Sequence, residues 1–448
     1  MLSPIVKVKN IRGGSCCPVS PIAVDRRSIM FRLPKNWRER PEYLLMLMAA
    51  AMPLSFWAWM VLLNNFTIEV ASFTGREIGI LQSLREVPGF LSFLVVYILL
   101  VIAEQRLALF SLILLGLGVA LTGYFPTAIG LYITTVISSI GFHYYEACNQ
   151  SLTLQWLDKK TAPTMMGRIV GVAACAQLLV LGLIFAAYLS SLPEISWQAL
   201  AGSSGLATSK ESYQVTYLIT GLATVLLAVA AFILFPHFKE KTFQTRKIIL
   251  RKRYWLYYAL TFIAGARRQI FIVFAGFLMV EKFGYSVTQI TALFLLNAAF
   301  NIWFAPIVGK LITRVGERAA LVFEYLGLIG VFVSYAVVES GMIAAGLYVL
   351  DHMFFAFAIA IKTYLQKIGD PADMASTASV AFTINHIAAV FVPVLFGGLW
   401  LISPSAVFFA GAAMACISLI LSFNVPRHPG PGEEVVIGHR GAAPSIAQ

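Results

Sequence analysis

The feature that most restricts the fold of this chain is a series of twelve apolar segments, each long enough to cross a lipid bilayer. Roughly 20 apolar residues in a helix span the hydrocarbon core. A soluble domain carries about 25% charged residues, whereas only 12% of these 448 residues are charged and the mean hydropathy is +0.81. We therefore predict an all-α membrane protein with twelve transmembrane helices. The predicted spans are 43–65, 77–102, 107–124, 127–152, 168–190, 214–235, 254–280, 287–309, 319–338, 341–363, 377–401 and 404–424.

The basic residues between these segments predict the orientation of the chain. With the N-terminus in the cytoplasm, the Lys and Arg residues outside the spans fall on cytoplasmic segments, with three exceptions: Arg76, Lys210 and Lys282. This distribution follows the positive-inside rule. The net charge of +12 is therefore interpreted as a topology signal that also attracts anionic lipid, and a nucleic-acid partner is not expected. We expect an integral protein of the bacterial inner (plasma) membrane with both termini in the cytoplasm.

The two halves of the chain repeat each other weakly. An offset of 212 places FTGREIGILQSL (73–84) on YSVTQITALFLL (285–296), and an offset of 209 places His143 on His352. Because six spans separate the copies, both halves run in the same sense, as in transporters built from parallel repeats. The predicted domains are a basic cytoplasmic tail (1–42), a six-helix bundle (43–235), a basic cytoplasmic linker (236–253), a second six-helix bundle (254–424) and a disordered cytoplasmic tail (425–448). Met30 is an alternative start of the protein.

The loop after the eighth segment carries the most specific motif. Residues 309–318 read GKLITRVGER, which resembles the signature Gly-x-Leu-x-Asp-Arg-x-Gly-x-Arg of the major facilitator superfamily. Gly309, Arg314, Gly316 and Arg318 match it, whereas Thr313 stands where the family has Asp. The copy after the second segment, LVIAEQRLAL (100–109), keeps one acid and one base but no glycine. The resemblance covers roughly residues 43–424 and implies that this loop takes part in gating.

The resemblance implies a secondary active transporter that moves a small solute by alternating access, with its site between the halves. The expected partners are a small-molecule substrate, membrane lipid and protons as a coupling ion, and the protein is expected to be a monomer. No GxxxxGK[ST] phosphate loop is present, so direct ATP hydrolysis is not supported. We expect no enzyme activity, no cofactor and no metal. The alternatives are a transporter-like sensor or assembly factor without turnover, and a membrane-embedded enzyme acting on a lipid.

Two adjacent arginines in the seventh segment give the clearest candidate for substrate binding. Neighbouring residues on a helix point about 100° apart, so Arg267 and Arg268 cannot face the same cavity. Arg268 continues a polar stripe made by Tyr254, Tyr258, Thr261 and Gly265. We expect Arg268 to face the pathway, where a guanidinium group binds carboxylate or phosphate, and Arg267 to need a protein carboxylate. The alternative is that both arginines pair with protein acids and only hold helices together.

Further polar residues inside spans are costly, by about 2.5–3.5 kcal/mol for a charge, unless they meet water or a partner. We predict that substrate-binding residues besides Arg268 are Arg85, Tyr258, Asn297, Asn301 and His386. Arg85 alternatively forms an ion pair with another span. The arrangement favours an organic anion or zwitterion as substrate.

Acidic residues and histidines share two helical faces. Carboxylates beside imidazoles suit a proton relay, and a hydrogen-bonded packing cluster is the alternative. The predicted proton-coupling residues are Glu146 and His143 in the fourth segment and Asp351 and His352 in the tenth. Glu324, near the inner end of the ninth segment, is expected to pair with Arg314 or Arg318 as part of the gate.

Overall fold

The computed structural model describes residues 35–157, 162–190, 208–238, 250–370 and 374–438. Within these ranges all regular secondary structure is helical apart from one isolated β-bridge between Gly430 and Glu433. Each predicted apolar segment corresponds to one helix when interrupted helices are counted once. The first half forms α1 (Pro41–Glu69), α2 (Gly75–Phe90), α3 (Glu104–Thr122), α4 (Ala128–Trp156), α5 (Ala162–Ser190) and α6 (Lys210–Leu234). The second half forms α7 (Trp255–Ile270), α8 (Val287–Val315), α9 (Glu317–Val337), α10 (Gly341–Phe355), α11 (Met374–Ile402) and α12 (Pro404–Ser422).

Three helices continue beyond an irregular turn. After α2, a 3-10 turn (Leu91–Leu94) leads to Val95–Ile98; after α10, another (Ala356–Ala358) leads to Ile359–Ile368. After α7, a π-helical turn (Phe271–Ala275) leads to Gly276–Glu281. Turns of the π type often occur at functional sites, and this one begins three residues after Arg268. Separate 3-10 turns are Trp37–Glu39 and Lys252–Tyr254.

Short hydroxyl side chains begin most of the even-numbered helices. The Thr127 hydroxyl accepts from the Gly130 amide at the start of α4, and Ser209 does the same for the Ser212 amide at the start of α6. Ser286 and Gln289 cap α8 reciprocally. Such caps satisfy amides that have no partner inside the helix. These residues therefore determine where α4, α6 and α8 begin.

Nine of the helices in the described ranges are long and apolar enough to cross a membrane by length and composition. The three that fall short of these criteria are α2, α4 and α8. They are also the helices with Arg85 and Glu86, with His143 and Glu146, and with Asn297. α2 has only 16 residues before its irregular turn, and α8 contains a shorter apolar stretch, Val287–Phe300. The sequence assigned α8 to residues 287–309, but the helix continues to Val315.

The residues from Arg38 onward form a single compact unit. The first and second halves meet most closely where α2 crosses α11, and also where α5 packs against α8. At the first crossing, a Cβ atom on Gly79 would lie 2.3 Å from the backbone oxygen of Pro393, and one on Gly397 would lie 2.6 Å from the oxygen of Gly75. Only residues without a side chain permit this approach. The Asn65 amide adds a 2.7 Å hydrogen bond to the oxygen of Tyr285 at the same end.

Part of the predicted disordered tail is instead packed against the second half. Val425 and Val435 are fully buried, and the Asn424 side chain bonds to both backbone groups of Ile437. The Tyr364 hydroxyl on the extension of α10 donates to the oxygen of Glu434. The prediction is therefore wrong for residues 425–438, because two buried valines anchor a segment whose composition is polar. Residues 439–448, 239–249 of the linker and 1–34 of the basic tail lie outside the described residues.

Candidate functional site

Glu86 on α2 is the centre of a polar cluster between the two halves. Its Oε2 atom lies 3.9 Å from Nε2 of His143 on α4 and 3.8 Å from Nε2 of His386 on α11. The two imidazole rings are in edge-to-face contact, with centroids 5.4 Å apart. Glu86 and His143 are buried, and His386 is half-buried. The arrangement joins helices of the first half to a helix of the second.

The glycine one turn after Glu86 makes room for both rings. A Cβ atom on Gly89 would lie 2.3 Å from Cδ2 of His386 and 2.6 Å from Cδ2 of His143. Each ring is also held by a hydrogen bond on the side away from Glu86. Nδ1 of His143 is 3.0 Å from the backbone oxygen of Ser139, and Nδ1 of His386 is 2.9 Å from the backbone oxygen of Phe382. A carbonyl oxygen only accepts. Both Nδ1 atoms therefore carry hydrogen and donate.

Arg85 is paired within the same cluster. Its guanidinium group forms a hydrogen-bonded ion pair with Oε1 of Glu86 and contacts the Met60 sulfur at 3.2 Å. The group also lies over the Trp59 ring, 5.8 Å from its centroid. Ser139 donates its hydroxyl to the Arg85 backbone oxygen. The charge of Arg85 is thus balanced by its neighbour in sequence. The alternative prediction was an ion pair with another span, whereas this pair lies within α2.

Arg267 points into the interior of the second half. Its Nη2 atom lies 3.0 Å from Oε1 of Glu324 on α9, and its guanidinium group lies 4.9 Å from the centroid of the Tyr325 ring. Arg267 thus has the protein carboxylate that its apolar stripe predicted. The expected pairing of Glu324 with Arg314 or Arg318 is wrong. Glu324 is almost fully buried at 1% exposure, so it faces the bundle instead of the loop that carries those arginines.

Asp351 on α10 lies near the same pair. It is fully buried, and neither of its carboxyl oxygens has a hydrogen-bond partner among the described residues. It interacts electrostatically with Arg267, Glu324 and Arg268. Two carboxyl groups therefore share the one arginine that is buried with them. Burial of a carboxyl group without hydrogen-bond partners is costly, and most of all in its charged form.

Arg268 differs from its neighbour in both exposure and partners. It is exposed, although it lies within α7. Its guanidinium group lies over the Phe355 ring, 5.6 Å from the centroid. In the described part of the chain no carboxylate is within ion-pair distance, and the charges of Glu86 and Asp351 act on it only from further away. Arg268 is therefore an exposed cation within electrostatic reach of both Glu86 and Asp351.

The remaining predicted coupling residues are separated from one another. His352 is enclosed by aromatic rings, with Tyr348 at 4.6 Å and Phe271 at 5.7 Å between centroids, and its Nδ1 donates to the Tyr348 oxygen. Glu146 is half-buried one turn beyond His143. The carboxylate that faces His143 is Glu86. The acid expected beside this histidine was Glu146.

Three predicted substrate residues lie in different surroundings. Tyr258 is buried beside Tyr257, with ring centroids 5.7 Å apart. Asn297 on α8 is buried at 5% exposure, and both polar atoms of its amide lack a hydrogen-bond partner within the ranges that the structure covers. The side chain of Asn301 lies outside the described residues. Buried amide groups in folded proteins are normally hydrogen-bonded, so Asn297 is exceptional among these residues.

Comparison with known proteins decides the family. The family model described as Major Facilitator Superfamily matches residues 43–393. The chain belongs to the major facilitator superfamily. A search of curated proteins finds no match to it. Membership of this superfamily makes the protein a membrane transporter rather than an enzyme.

Solved structures of major facilitator transporters share the fold. A mutant of the nucleoside transporter NupG is 13% identical with a TM-score of 0.69, over 85% of this chain and 98% of that one. A bacterial homolog of the human lysosomal transporter Spinster, inward-facing and occupied, is 15% identical with a TM-score of 0.64, over 86% and 95%. The D-xylose-proton symporter is 10% identical with a TM-score of 0.62, over 88% and 99%. At these identities the likeness concerns the fold.

The superfamily motif forms the end of α8 and the start of α9. Gly316 joins the two helices with φ of 84°, a conformation that residues with side chains rarely adopt. Arg314 is exposed, and Arg318 lies over the Phe423 ring. Thr313, which replaces the usual Asp, donates its hydroxyl to the oxygen of Gly309 within the helix. Glu317 of this motif forms an ion pair with Lys367, at 2.7 Å, which the sequence did not predict.

Sequence reasoning on this superfamily member missed two residues of the interior. Glu86 was not among the predicted site residues, yet its carboxylate faces both imidazoles. Asn385 on α11 is exposed and lies against Gly265 of α7, where a Cβ atom would be 2.5 Å from its Oδ1. The available signal was helical spacing, because Gly265 lies on the stripe of Arg268. That spacing did not indicate that α11 is the helix that packs against this stripe.

Proposed function

We propose that this chain is a secondary active transporter that carries a small organic anion or zwitterion, with Arg268 as the residue that binds its anionic group. The observation that carries the proposal is the contrast among three interior arginines. Arg85 pairs with Glu86 and Arg267 pairs with Glu324, whereas Arg268 is exposed and has no carboxylate within ion-pair distance among the described residues. A guanidinium group kept in that state is suited to a ligand carboxylate or phosphate.

The crossing of the two halves supports alternating access. Gly79 and Gly397 bring α2 and α11 into backbone contact, and the Asn65–Tyr285 hydrogen bond lies at the same end. By the distribution of basic residues, this is the external end of the protein. The described conformation then has a closed external gate, while Arg268 and Asn385 are accessible to water. Rocking of the halves would open the glycine contact and expose Arg268 from the other side.

Asp351 is our candidate for the residue that couples transport to protons. It shares Arg267 with Glu324, so two acids face one base in a buried cluster. Both oxygens of Asp351 are without hydrogen-bond partners in the described structure, which favours a group that takes up and releases a proton. Arg268 is within electrostatic reach of Asp351. An anion bound to Arg268 would therefore change the field at Asp351, which provides the coupling.

A transport assay with a defined panel tests the proposal. The purified chain is reconstituted into proteoliposomes, and uptake of labelled solutes is measured with an inward proton gradient. The panel contains mono- and dicarboxylates, sugar phosphates and amino acids. It also contains a neutral nucleoside and D-xylose, the cargoes named for two structurally similar transporters. We expect saturable uptake of at least one carboxylate or phosphate, inhibited by unlabelled compounds of the same class.

Two results would contradict this assignment. Saturable uptake confined to the neutral nucleoside or the pentose would leave Arg268 without the proposed role. Absence of uptake for the whole panel, in vesicles where the protein is shown to be folded and inserted, would favour a binding protein without turnover. Vesicles containing the Arg76→Ala variant serve as the matched control, because Arg76 is an exposed arginine in the first turn of α2 and should transport as the unmodified protein does.

A further inference from the structure

We propose that Glu86, His143 and His386 form a binding site for one divalent transition-metal ion of the Zn²⁺ and Co²⁺ type. One ligand atom from each residue lies within 4.8 Å of the other two. The carboxylate oxygen is 3.9 Å from the first imidazole nitrogen and 3.8 Å from the second. Two ligands of one zinc ion are about 3–4 Å apart at bond lengths of about 2.0–2.2 Å. Small side-chain movements would therefore bring all three atoms to bonding distance.

The hydrogen bonds behind the rings direct lone pairs towards the centre of this site. Nδ1 of His143 donates to the Ser139 oxygen, and Nδ1 of His386 donates to the Phe382 oxygen. In the neutral imidazole the other nitrogen, Nε2, is then an acceptor. Two imidazole lone pairs and a carboxylate oxygen consequently converge without a hydrogen between them. Metal-binding histidines characteristically have their second nitrogen held by a backbone carbonyl or carboxylate in this way.

The donor set indicates the class of metal. Two imidazole nitrogens with one carboxylate oxygen suit Zn²⁺, Co²⁺ and related ions, whereas Ca²⁺ and Mg²⁺ prefer oxygen ligands. Three protein ligands leave a coordination position for water or a solute. Gly89 keeps space beside both rings, because a Cβ atom there would overlap the two imidazoles.

The positive groups around the site limit how tightly it binds a cation. Arg85 holds Oε1 of Glu86 and thereby orients Oε2 towards the imidazoles. Arg268 acts on Glu86 from further away. Both arginines disfavour an additional cation, so we expect moderate affinity that an anionic ligand in the open position increases. The site also connects the halves, since Glu86 and His143 belong to the first and His386 to the second.

Binding of Co²⁺ to the purified full-length protein tests the site without any transport. We expect about one Co²⁺ per chain, with a visible spectrum of nitrogen and oxygen ligation, displaced by Zn²⁺. His143→Gln and His386→Gln should each weaken binding about tenfold or more, since one ligand is lost. His352→Gln is the matched control, because this histidine is also on an interior helix and also bonds to the carbonyl four residues earlier. It should retain the unmodified affinity.

A second measurement keeps the proposal testable if the variants do not fold. X-ray absorption at the zinc edge on the unmodified protein should show imidazole scattering from two histidines. Equal Co²⁺ affinity in the unmodified and His143→Gln/His386→Gln proteins would overturn the proposal. So would thiolate absorption in the Co²⁺ spectrum, which would place the metal on cysteine, or a zinc spectrum without imidazole. None of these readouts depends on substrate uptake, so they are independent of the proposed transport function.

Discussion

The Nη2 atom of Arg267 lies 3.0 Å from Oε1 of Glu324, and both side chains are almost completely buried. The next residue, Arg268, is exposed and has its guanidinium group over the Phe355 ring. One residue step on α7 thus separates a buried arginine that is paired with a carboxylate from an exposed arginine. This difference between neighbouring residues underlies the predictions that follow.

Removal of one partner of the buried pair should destabilise the protein. Glu324→Gln removes the carboxylate that forms the ion pair with Arg267, and loss of one partner of a buried ion pair costs about 3–5 kcal/mol in soluble proteins. We expect a clear fall in the melting temperature of the detergent-solubilised protein. The double variant Arg267→Met/Glu324→Met, which removes both charges, should recover much of this loss. A double variant no more stable than Glu324→Gln would contradict the pairing.

Replacement of Arg268 should affect ligand binding and not folding. Its group has no buried carboxylate partner in the described structure, so Arg268→Ala should leave the melting temperature close to that of the unmodified protein. Charge-assisted hydrogen bonds contribute about 1.5–3 kcal/mol, which corresponds to a loss of about tenfold or more in substrate affinity. Ligand-induced thermal shifts measure both quantities together. If the Arg268→Ala protein unfolds as readily as Glu324→Gln, Arg268 stabilises the fold and the prediction is wrong.

The close approach of α2 and α11 should control the external gate. Gly397→Ala introduces a Cβ atom 2.6 Å from the oxygen of Gly75, whereas the adjacent Gly398 has nothing within 4 Å of such an atom. We expect Gly397→Ala to favour the externally open state and Gly398→Ala to have no effect. Labelling of Ser83→Cys on α2, in a cysteine-free protein, by an external impermeant maleimide reports the difference. Equal labelling rates in both alanine variants would show that the glycine contact does not limit opening.

Asp351 should be needed for coupling but not for movement of the substrate. Asp351→Asn removes the titratable group while it keeps the shape of the side chain. We expect uptake driven by a proton gradient to fall to the level seen without a gradient, while exchange of labelled for unlabelled substrate continues. Glu339→Gln, an acid with a side chain 84% exposed, is the control and should keep gradient-driven uptake. Gradient-driven uptake preserved in Asp351→Asn would assign coupling to another group.

The twelve apolar helices of the described ranges could be predicted from the sequence because the length of an apolar run is a local property. Hydropathy did not predict where α8 ends, since the helix continues to Val315 beyond the apolar segment. A charged helical turn outside the hydrocarbon core is hydrated, so the loss of hydropathy there does not end the helix. The tail at 425–438 was assigned to disorder for a related reason. The composition of this segment does not show that Val425 and Val435 are buried in the folded protein.

The partners in the interior could not be predicted because they are non-local. Arg267 and Glu324 are 57 residues apart in the chain, and nothing in the spacing of either helix indicates which helix faces it. The internal repeat related His143 to His352, but the contact is between His143 and His386. A repeat relates equivalent positions of two halves, whereas contacts across the interface between halves join positions that are not equivalent.

The transport assignment is tested most directly by uptake of the anion that the panel identifies. Uptake is measured in three sets of proteoliposomes, which contain the unmodified protein, Arg268→Lys or Arg268→Ala. We predict saturable uptake by the unmodified protein, a lower apparent affinity with lysine because the two-pronged geometry is lost, and background uptake with alanine. Comparable protein content and melting temperature in all three samples complete the comparison. Full uptake by Arg268→Ala would contradict the account.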